Sequence, residues 1–215
     1  MTNYLFKNTL KLLSYNTFIP LAYDPIMYLI KKERQRALEA MAFKQTDSVL
    51  IPGIGMGNDL PYLAGNVDHI VGVDISDVML SGASLRAKNL HLDNVELRVM
   101  DAEALEYPDN HFDKAVLTLF LTVAYDPKKV FSEVVRVVKP GGEILVFDHF
   151  VKQGAIPTPI LKAIDAFMKV TFTSVARVFE EIIQGQRVTI IKKLASKTPG
   201  FKIYVLRKDP GPATA

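Results

Sequence analysis

The segment Val49-Leu50-Ile51-Pro52-Gly53-Ile54-Gly55-Met56-Gly57 constrains the fold more than any other part of the chain. Its apolar run reads as a buried strand that passes straight into glycines, then into helical spacing over residues 60–64. Glycine has no Cβ and tolerates positive φ. Such a turn therefore brings bare backbone, with the N–H groups of a helix N-terminus, against a polar or charged ligand. The spacing here is G-x-G-x-G. A dinucleotide fingerprint would be G-x-G-x-x-G, and Asn58 stands where its third glycine belongs.

Strand and helix signals alternate around this loop, which predicts a mostly parallel sheet covered by helices. Strands are expected at residues 47–52, 69–75, 95–100, 112–119 and 142–147. The fourth is nearly continuous in apolar residues, as a strand buried on both faces would be. Helices are expected at 60–64, 78–89 and 127–138. Ser76-Asp77 suits the N-terminus of the second helix, and Pro140-Gly141-Gly142 is expected to stop the third. Beyond His149 the spacing predicts a loop at 154–159 and one or two amphipathic helices over 160–183. Phe167, Phe172, Phe179 and Ile182 would lie on their apolar side. Two strand-like runs, 187–194 and 201–207, flank the turn Thr198-Pro199-Gly200 and look like a closing hairpin.

Two acids fall in register with the glycine loop. Asp74 ends the second strand, where a carboxylate accepts both hydroxyl protons of a ribose. Asp101 follows the third strand, where a carboxylate and a neighbouring N–H can read the amino group and ring nitrogen of an adenine. Either acid alone would pass for a helix cap or turn residue. Together with the glycines they occupy successive carboxyl ends of strands, the edge along which open α/β sheets bind ligands.

From about residue 47 to 147 the chain resembles the core of class I S-adenosylmethionine-dependent methyltransferases. Val49–Gly57 resembles the first motif of that family, and Val71-Gly-Val-Asp74-Ile-Ser76 its second-strand motif. Met100-Asp101-Ala102-Glu103 with Phe112-Asp113, and Arg136-Val-Val-Lys-Pro-Gly-Gly-Glu143, resemble the motifs that follow. The resemblance implies an α/β, Rossmann-like fold. Its seven-stranded, mostly parallel sheet would carry helices on both faces and a C-terminal antiparallel hairpin. It also implies S-adenosylmethionine as cofactor. Gly53, Gly55 and Gly57 would line its methionine and ribose, Asp74 with Ile75 the ribose side, and Asp101 with Ala102 the adenine. Leu119, at the end of the fourth strand, would complete the lining. Members of the family usually carry an acid two residues before the first glycine, where this chain has Ile51. Asp59 is the candidate to anchor the methionine ammonium in its place, although a carboxylate in the first turn of a helix is also favoured by the dipole.

The finer resemblance is to the branch holding bacterial phosphatidylethanolamine N-methyltransferases and quinone-biosynthesis methyltransferases. It rests on Tyr23-Asp24-Pro25, on a helix over 26–40 with its Lys31-Lys32-Glu-Arg-Gln-Arg36 face, and on Phe147-Asp148-His149. It implies a phospholipid headgroup amine as methyl acceptor, with a quinone precursor or other small molecule as the alternative. Tyr23 would lie in a lid near the cofactor. His149, just past the fifth strand, would act as base or orient a phosphate, with Asp148 fixing its tautomer.

A separate physical argument points to lipid. On a helical wheel of residues 5–14, Leu5, Phe6, Leu10, Leu12 and Leu13 share a side opposite Lys7 and Lys11. An amphipathic helix with cationic polar residues suits an anionic membrane surface, though a lid helix packed on the domain would show the same pattern. Formal charge is also uneven, which fits either ordinary surface variation or a basic face for an anionic partner. Residues 1–44 carry +4, 45–159 carry −7 and 160–215 carry +6. The expected organisation is a lid or membrane-facing segment at 1–44, the cofactor-binding domain at 45–210 and a flexible tail at 211–215.

Other classes are less well served. There is no cysteine, which excludes disulfides, thiolate metal sites and a catalytic thiol; no metal is expected. The chain shows no secretory signal and no run of about 18 apolar residues. It is therefore expected in the cytoplasm, peripheral at most on the inner face of the membrane. The glycine spacing argues against a nicotinamide-dependent oxidoreductase. Ile51 leaves room for a cofactor-binding subunit without activity. A nucleic-acid partner is not expected, since no aromatic-and-basic strand pattern or reading helix appears.

Overall fold

The computed structural model describes residues 30–63, 65–151, 177–198 and 200–211. Within them the chain runs α1 (Lys31–Glu39), β1 (Ser48–Pro52), α2 (Leu60–Leu63), β2 (His69–Asp74), α3 (Asp77–Asn89), β3 (Val95–Val99) and β4 (Phe112–Thr118). It continues with α4 (Pro127–Val137), β5 (Val138–His149), α5 (Phe179–Ile183), β6 (Val188–Ala195) and β7 (Phe201–Lys208). The expectations for the helix at residues 5–14, for Tyr23, for the loop at 154–159 and for Phe167 and Phe172 lie outside the described residues.

The strands form one seven-stranded sheet in the order β3-β2-β1-β4-β5-β7-β6. The first five pair in parallel, while β7 lies antiparallel between β5 and β6. This is the α/β, Rossmann-like sheet that the sequence implies, with its antiparallel closing hairpin. Side chains alternate across each strand, and the apolar ones split into two cores accordingly. Leu50, Val73, Leu117 and Val146 face α4 and α5, which contribute Phe131, Val134, Phe179 and Ile182. Val49, Ile51, Val116 and Phe147 face the other way, against Ala37 and Leu38 of α1, Leu60 of α2 and Leu80 of α3. β4 sits at the centre, and Ala115, Val116 and Leu117 are wholly buried, as a strand covered on both faces requires.

Helix ends follow local chemistry. The Ser76 hydroxyl accepts the Met79 N–H at 3.2 Å and caps α3. Asp126 accepts the Lys128 and Lys129 N–H groups, each at 3.1 Å, ahead of Pro127 in the first turn of α4. One boundary departs from the expectation. α4 ends at Val137 and β5 begins at Val138, whereas the sequence reading placed the helix end at 138 and the strand at 142–147. Proline disfavours helical backbone in the residue before it, here Lys139. The last helical carbonyls are also claimed from outside, by the Asn110 N–H on Arg136 O (3.0 Å) and the His111 N–H on Val137 O (2.7 Å).

Arg136 fixes the segment that follows β3. Its guanidinium donates to Leu105 O and Tyr107 O, each at 2.8 Å, to Asp109 at 2.9 Å, and to both oxygens of Glu133. The Arg136 hydrogen bond holds the Glu133 carboxyl below its ordinary range, against the opposing effect of burial. A depressed carboxyl contributes stability that is complete above its unfolded pKa and is lost as pH falls through the folded one. Arg136→Met is therefore expected to cost about 2–3 kcal/mol at neutral pH through its lost charged hydrogen bonds. It should also flatten the decline of melting temperature below about pH 5. Melting curves from pH 7 to pH 3 check both effects.

Candidate active site

The site lies where parallel strands end. Strand order reverses between β1 and β4, and open α/β sheets bind ligands in the crevice at that point. On leaving β1 the chain turns through Gly53, Gly55 and Gly57, with φ of +63°, +55° and +74°. Gly53 shows why no side chain is tolerated. A Cβ there would sit 2.0 Å from a ring carbon of Phe120 on the neighbouring β4 loop. The positive φ would add backbone strain of its own.

Asp74, at the end of β2, shapes this loop from the side. One carboxylate oxygen accepts the Gly55 N–H and the other the Ser76 N–H, both at 3.0 Å. Burial pushes its carboxyl above the ordinary value, against the pull of the N–H groups of Ser76, Gly55 and Ile75. The Ile75 side chain remains 45% exposed beside it. The next strand end continues the edge. The Met100 N–H donates to Asp74 O, and Asp101, exposed, accepts the Glu103 N–H at 2.8 Å. Ala102 is buried. The Glu103 carboxylate accepts the Asp126 N–H at 2.9 Å and so fastens this loop to the cap of α4.

Beyond β4, Leu119 adopts φ of +56° while its N–H donates to Phe147 O at 2.7 Å. A left-handed leucine is strained backbone held by its surroundings. This turn delivers Phe120 to Gly53 and Thr122 to β5. The Asp148 carboxylate there is fully buried and accepts from the Thr122 N–H (3.0 Å), the Thr122 hydroxyl (2.7 Å) and the His149 N–H (2.8 Å). His149 Nδ1 lies 3.1 Å from Asp148 Oδ1. A proton on Nδ1 would meet that carboxylate and leave Nε2 as the acceptor nitrogen. The ring, about a quarter exposed, packs 5.8 Å from Phe201 across the sheet edge.

The structure revises the part expected of Asp59. Its side chain is only 2% exposed, and its oxygens are taken by Arg34 at 2.7 Å and by the Thr118 hydroxyl at 2.6 Å. A carboxylate already neutralised by a guanidinium holds the loop in shape rather than presenting a free anion to an ammonium group. Arg34 itself was hidden in the charged run 31–36. That run is not one face, because Lys31 and Lys32 are exposed whereas Glu33 and Arg34 are buried. Spacing could have exposed it, since Arg34 falls in the apolar stripe Ile30, Ala37, Leu38, Met41. Thr118 and Thr122 carried no such signal.

The residues of this edge fit an adenosyl ligand with an amino-acid tail. Asp74 has carboxylate oxygens of the kind that accept ribose hydroxyls, and Ile75, 45% exposed, offers apolar surface of the kind a base packs on. The Asn58 side-chain nitrogen, next to Gly57, is buried with no hydrogen-bond partner among the described residues. An orphan donor of this kind costs about 1–3 kcal/mol until an acceptor arrives, and a carboxylate end over the glycine loop would supply one.

Residues 50–146 match a protein family described as Methyltransferase domain, a span that contains the glycine loop, Asp74, Asp101 and the fourth and fifth strands. The chain is also 28% identical over 186 residues to a phosphatidylethanolamine N-methyltransferase of Cereibacter sphaeroides, an alignment covering 86% of this chain and 91% of that protein. The chain is thus similar over its central span to a methyltransferase domain, and along most of its length to a phosphatidylethanolamine N-methyltransferase. The chain is also 37% identical over 106 residues to the ubiquinone/menaquinone biosynthesis C-methyltransferase UbiE of an Enterobacter species, but it covers only 41% of that protein. Its fold matches geranyl diphosphate C-methyltransferase of Streptomyces coelicolor with a TM-score of 0.69 at 14% identity, covering 84% of this chain and 80% of that one. That structure holds S-adenosyl-L-homocysteine.

Asp74→Ala removes both anchors of the loop and the acceptor for ribose. It is expected to weaken binding of S-adenosylhomocysteine, measured by calorimetry, by about tenfold or more. Unchanged affinity would remove Asp74 from the site.

Proposed function

We propose that the protein is a class I S-adenosylmethionine-dependent methyltransferase that N-methylates a phospholipid headgroup amine, with phosphatidylethanolamine as the candidate acceptor, at an anionic membrane surface. The observation that carries this reading is the near full-length alignment with a phosphatidylethanolamine N-methyltransferase, since the other relatives named above share only part of their length with this chain. In support, Lys31 and Lys32 are exposed at the start of α1, the end whose Glu33 and Arg34 reach the turn after β6 and the glycine loop. Exposed basic residues at a membrane surface contribute about 1 kcal/mol each. Among the described residues no helix is long and apolar enough to cross a membrane.

When bound, S-adenosylmethionine supplies the electrophilic sulfonium methyl. Gly53, Gly55 and Gly57, together with Asp74, Ile75, Asp101, Ala102 and Leu119, line the cofactor in this reading. The remaining task is to hold the acceptor close, aligned and deprotonated. An alkylammonium has no lone pair, so it must lose a proton before it can attack. His149 Nε2 takes that proton, and Asp148 stabilises the imidazolium that results. Thr122 holds Asp148 in turn. Tyr23, the second catalytic candidate by resemblance, lies outside the described residues.

The alternative is a quinone precursor or another small molecule, favoured by the higher but shorter identity to UbiE. Purified enzyme with labelled donor separates the two readings. Label should enter phosphatidylethanolamine in mixed anionic liposomes; label entering only a phenolic panel would overturn the lipid assignment. His149→Ala should lower kcat by about 100-fold or more while calorimetric affinity for S-adenosylhomocysteine stays unchanged. Equal loss of both, or of neither, contradicts its role as base.

A further inference from the structure

We propose that Arg34 is a positioning residue of the cofactor site, acting through Asp59 and Thr118. The three side chains close a hydrogen-bonded triangle. Arg34 Nη1 donates to Asp59 Oδ1 and to Thr118 Oγ1, each at 2.7 Å, and the Thr118 hydroxyl donates to Asp59 Oδ2 at 2.6 Å. The Arg34 and Asp59 side chains are 4% and 2% exposed, and Thr118 is buried with them.

The location of the triangle gives it its role. Asp59 lies two residues beyond Gly57, at the entry to α2. Thr118 is the last residue of β4, directly before Leu119 with its left-handed backbone. These are the two loops that flank the crevice where strand order reverses. Their relative placement decides whether Phe120 meets Gly53 and how the glycine N–H groups are presented. No backbone pairing reaches so far, because the paired residues of β1 and β4 are Val49 with Lys114 and Leu50 with Ala115. The Thr118–Asp59 hydrogen bond crosses that gap, and Arg34 clamps both of its partners from outside the sheet. Burying a charged pair is a poor way to gain stability compared with apolar packing. A guanidinium, planar and with donors at fixed angles, is a good way to fix two acceptors relative to each other.

α1 is itself firmly placed. Glu33 accepts the Ser196 hydroxyl (2.6 Å) and the Lys197 N–H (3.0 Å), Arg36 donates to Ala195 O (2.9 Å), and Lys192 donates to Ala40 O (2.8 Å). The helix that carries Arg34 is thus braced on the β6–β7 hairpin, and the triangle transmits that fixed position to the loops. Ile51, two residues before the first glycine, is an apolar core residue and offers the loop no side-chain hydrogen bond. In this chain the loop is held from above, by α1.

The inference rests on cofactor use and not on the choice of acceptor, so it survives if the lipid reading fails. The test compares Arg34→Met, Thr118→Val and the double variant Arg34→Met/Asp59→Leu. Each is measured for melting temperature, for S-adenosylhomocysteine affinity by calorimetry, and for kcat and cofactor KM. Thr118→Val is nearly isosteric and keeps the assay informative if Arg34→Met does not fold. Arg34→Met should weaken the ligand by about tenfold, and Thr118→Val should weaken it measurably but less. In the double variant apolar packing should restore the melting temperature while affinity stays about tenfold weak. Cofactor KM should rise by more than kcat falls. Affinity within about twofold of the parent in Thr118→Val and the double variant, or affinity recovering in step with melting temperature, would overturn the proposal.

Discussion

A loop of alternate glycines has many conformations to choose from, and the Asp74 carboxylate selects one. Its two oxygens take the Gly55 and Ser76 N–H groups, one from each of two neighbouring strand ends. Parallel strands cannot satisfy these groups themselves, because their ladders stop where the chains diverge. Glycine loses more conformational freedom on ordering than any other residue. A charge-assisted acceptor inside the loop offsets part of that cost. Once Gly55 is fixed, Gly53 is placed under the ring of Phe120 and Gly57 at the entry to α2. In the proposed site, the adenosyl end and the methionine end of the crevice would acquire their spacing from that one carboxylate.

The crevice has a second wall, and it is built by different physics. Asp148, wholly buried, is satisfied by three N–H and O–H donors and faces the ring of His149. Burial without full hydrogen bonding would be prohibitive for a carboxylate. Thr122 therefore matters as much as the histidine, since it supplies two of the three donors. The left-handed backbone of Leu119 is what brings Thr122 there. The loop after β4 thus serves both walls, with Phe120 toward the glycines and Thr122 toward β5.

What was legible in the sequence and what was not divides along the length of the interactions. The strand-to-glycine turn and Asp101 depend on neighbours within a few residues; Asp74, whose Gly55 partner lies 19 residues away, could still be placed because the order of strands follows from chain alternation. Asp148 and His149 are adjacent, so their pairing could be anticipated. The partners of Asp59 could not. Arg34 lies 25 residues away and Thr118 59 residues away, and a carboxylate in the first turn of a helix looks self-sufficient without them. The end of α4 was misjudged for a related reason. The sequence shows Pro140, but not that Asn110 and His111 come across to take the last carbonyls.

The most direct test of the account is a crystal structure of the protein with S-adenosylhomocysteine. The ribose hydroxyls should lie on the Asp74 carboxylate and the adenine beside Ile75, Asp101 and Ala102. The amino-acid tail should lie over the glycine loop within reach of the Asn58 amide. A ligand bound elsewhere, or one whose ribose does not touch Asp74, would contradict the account.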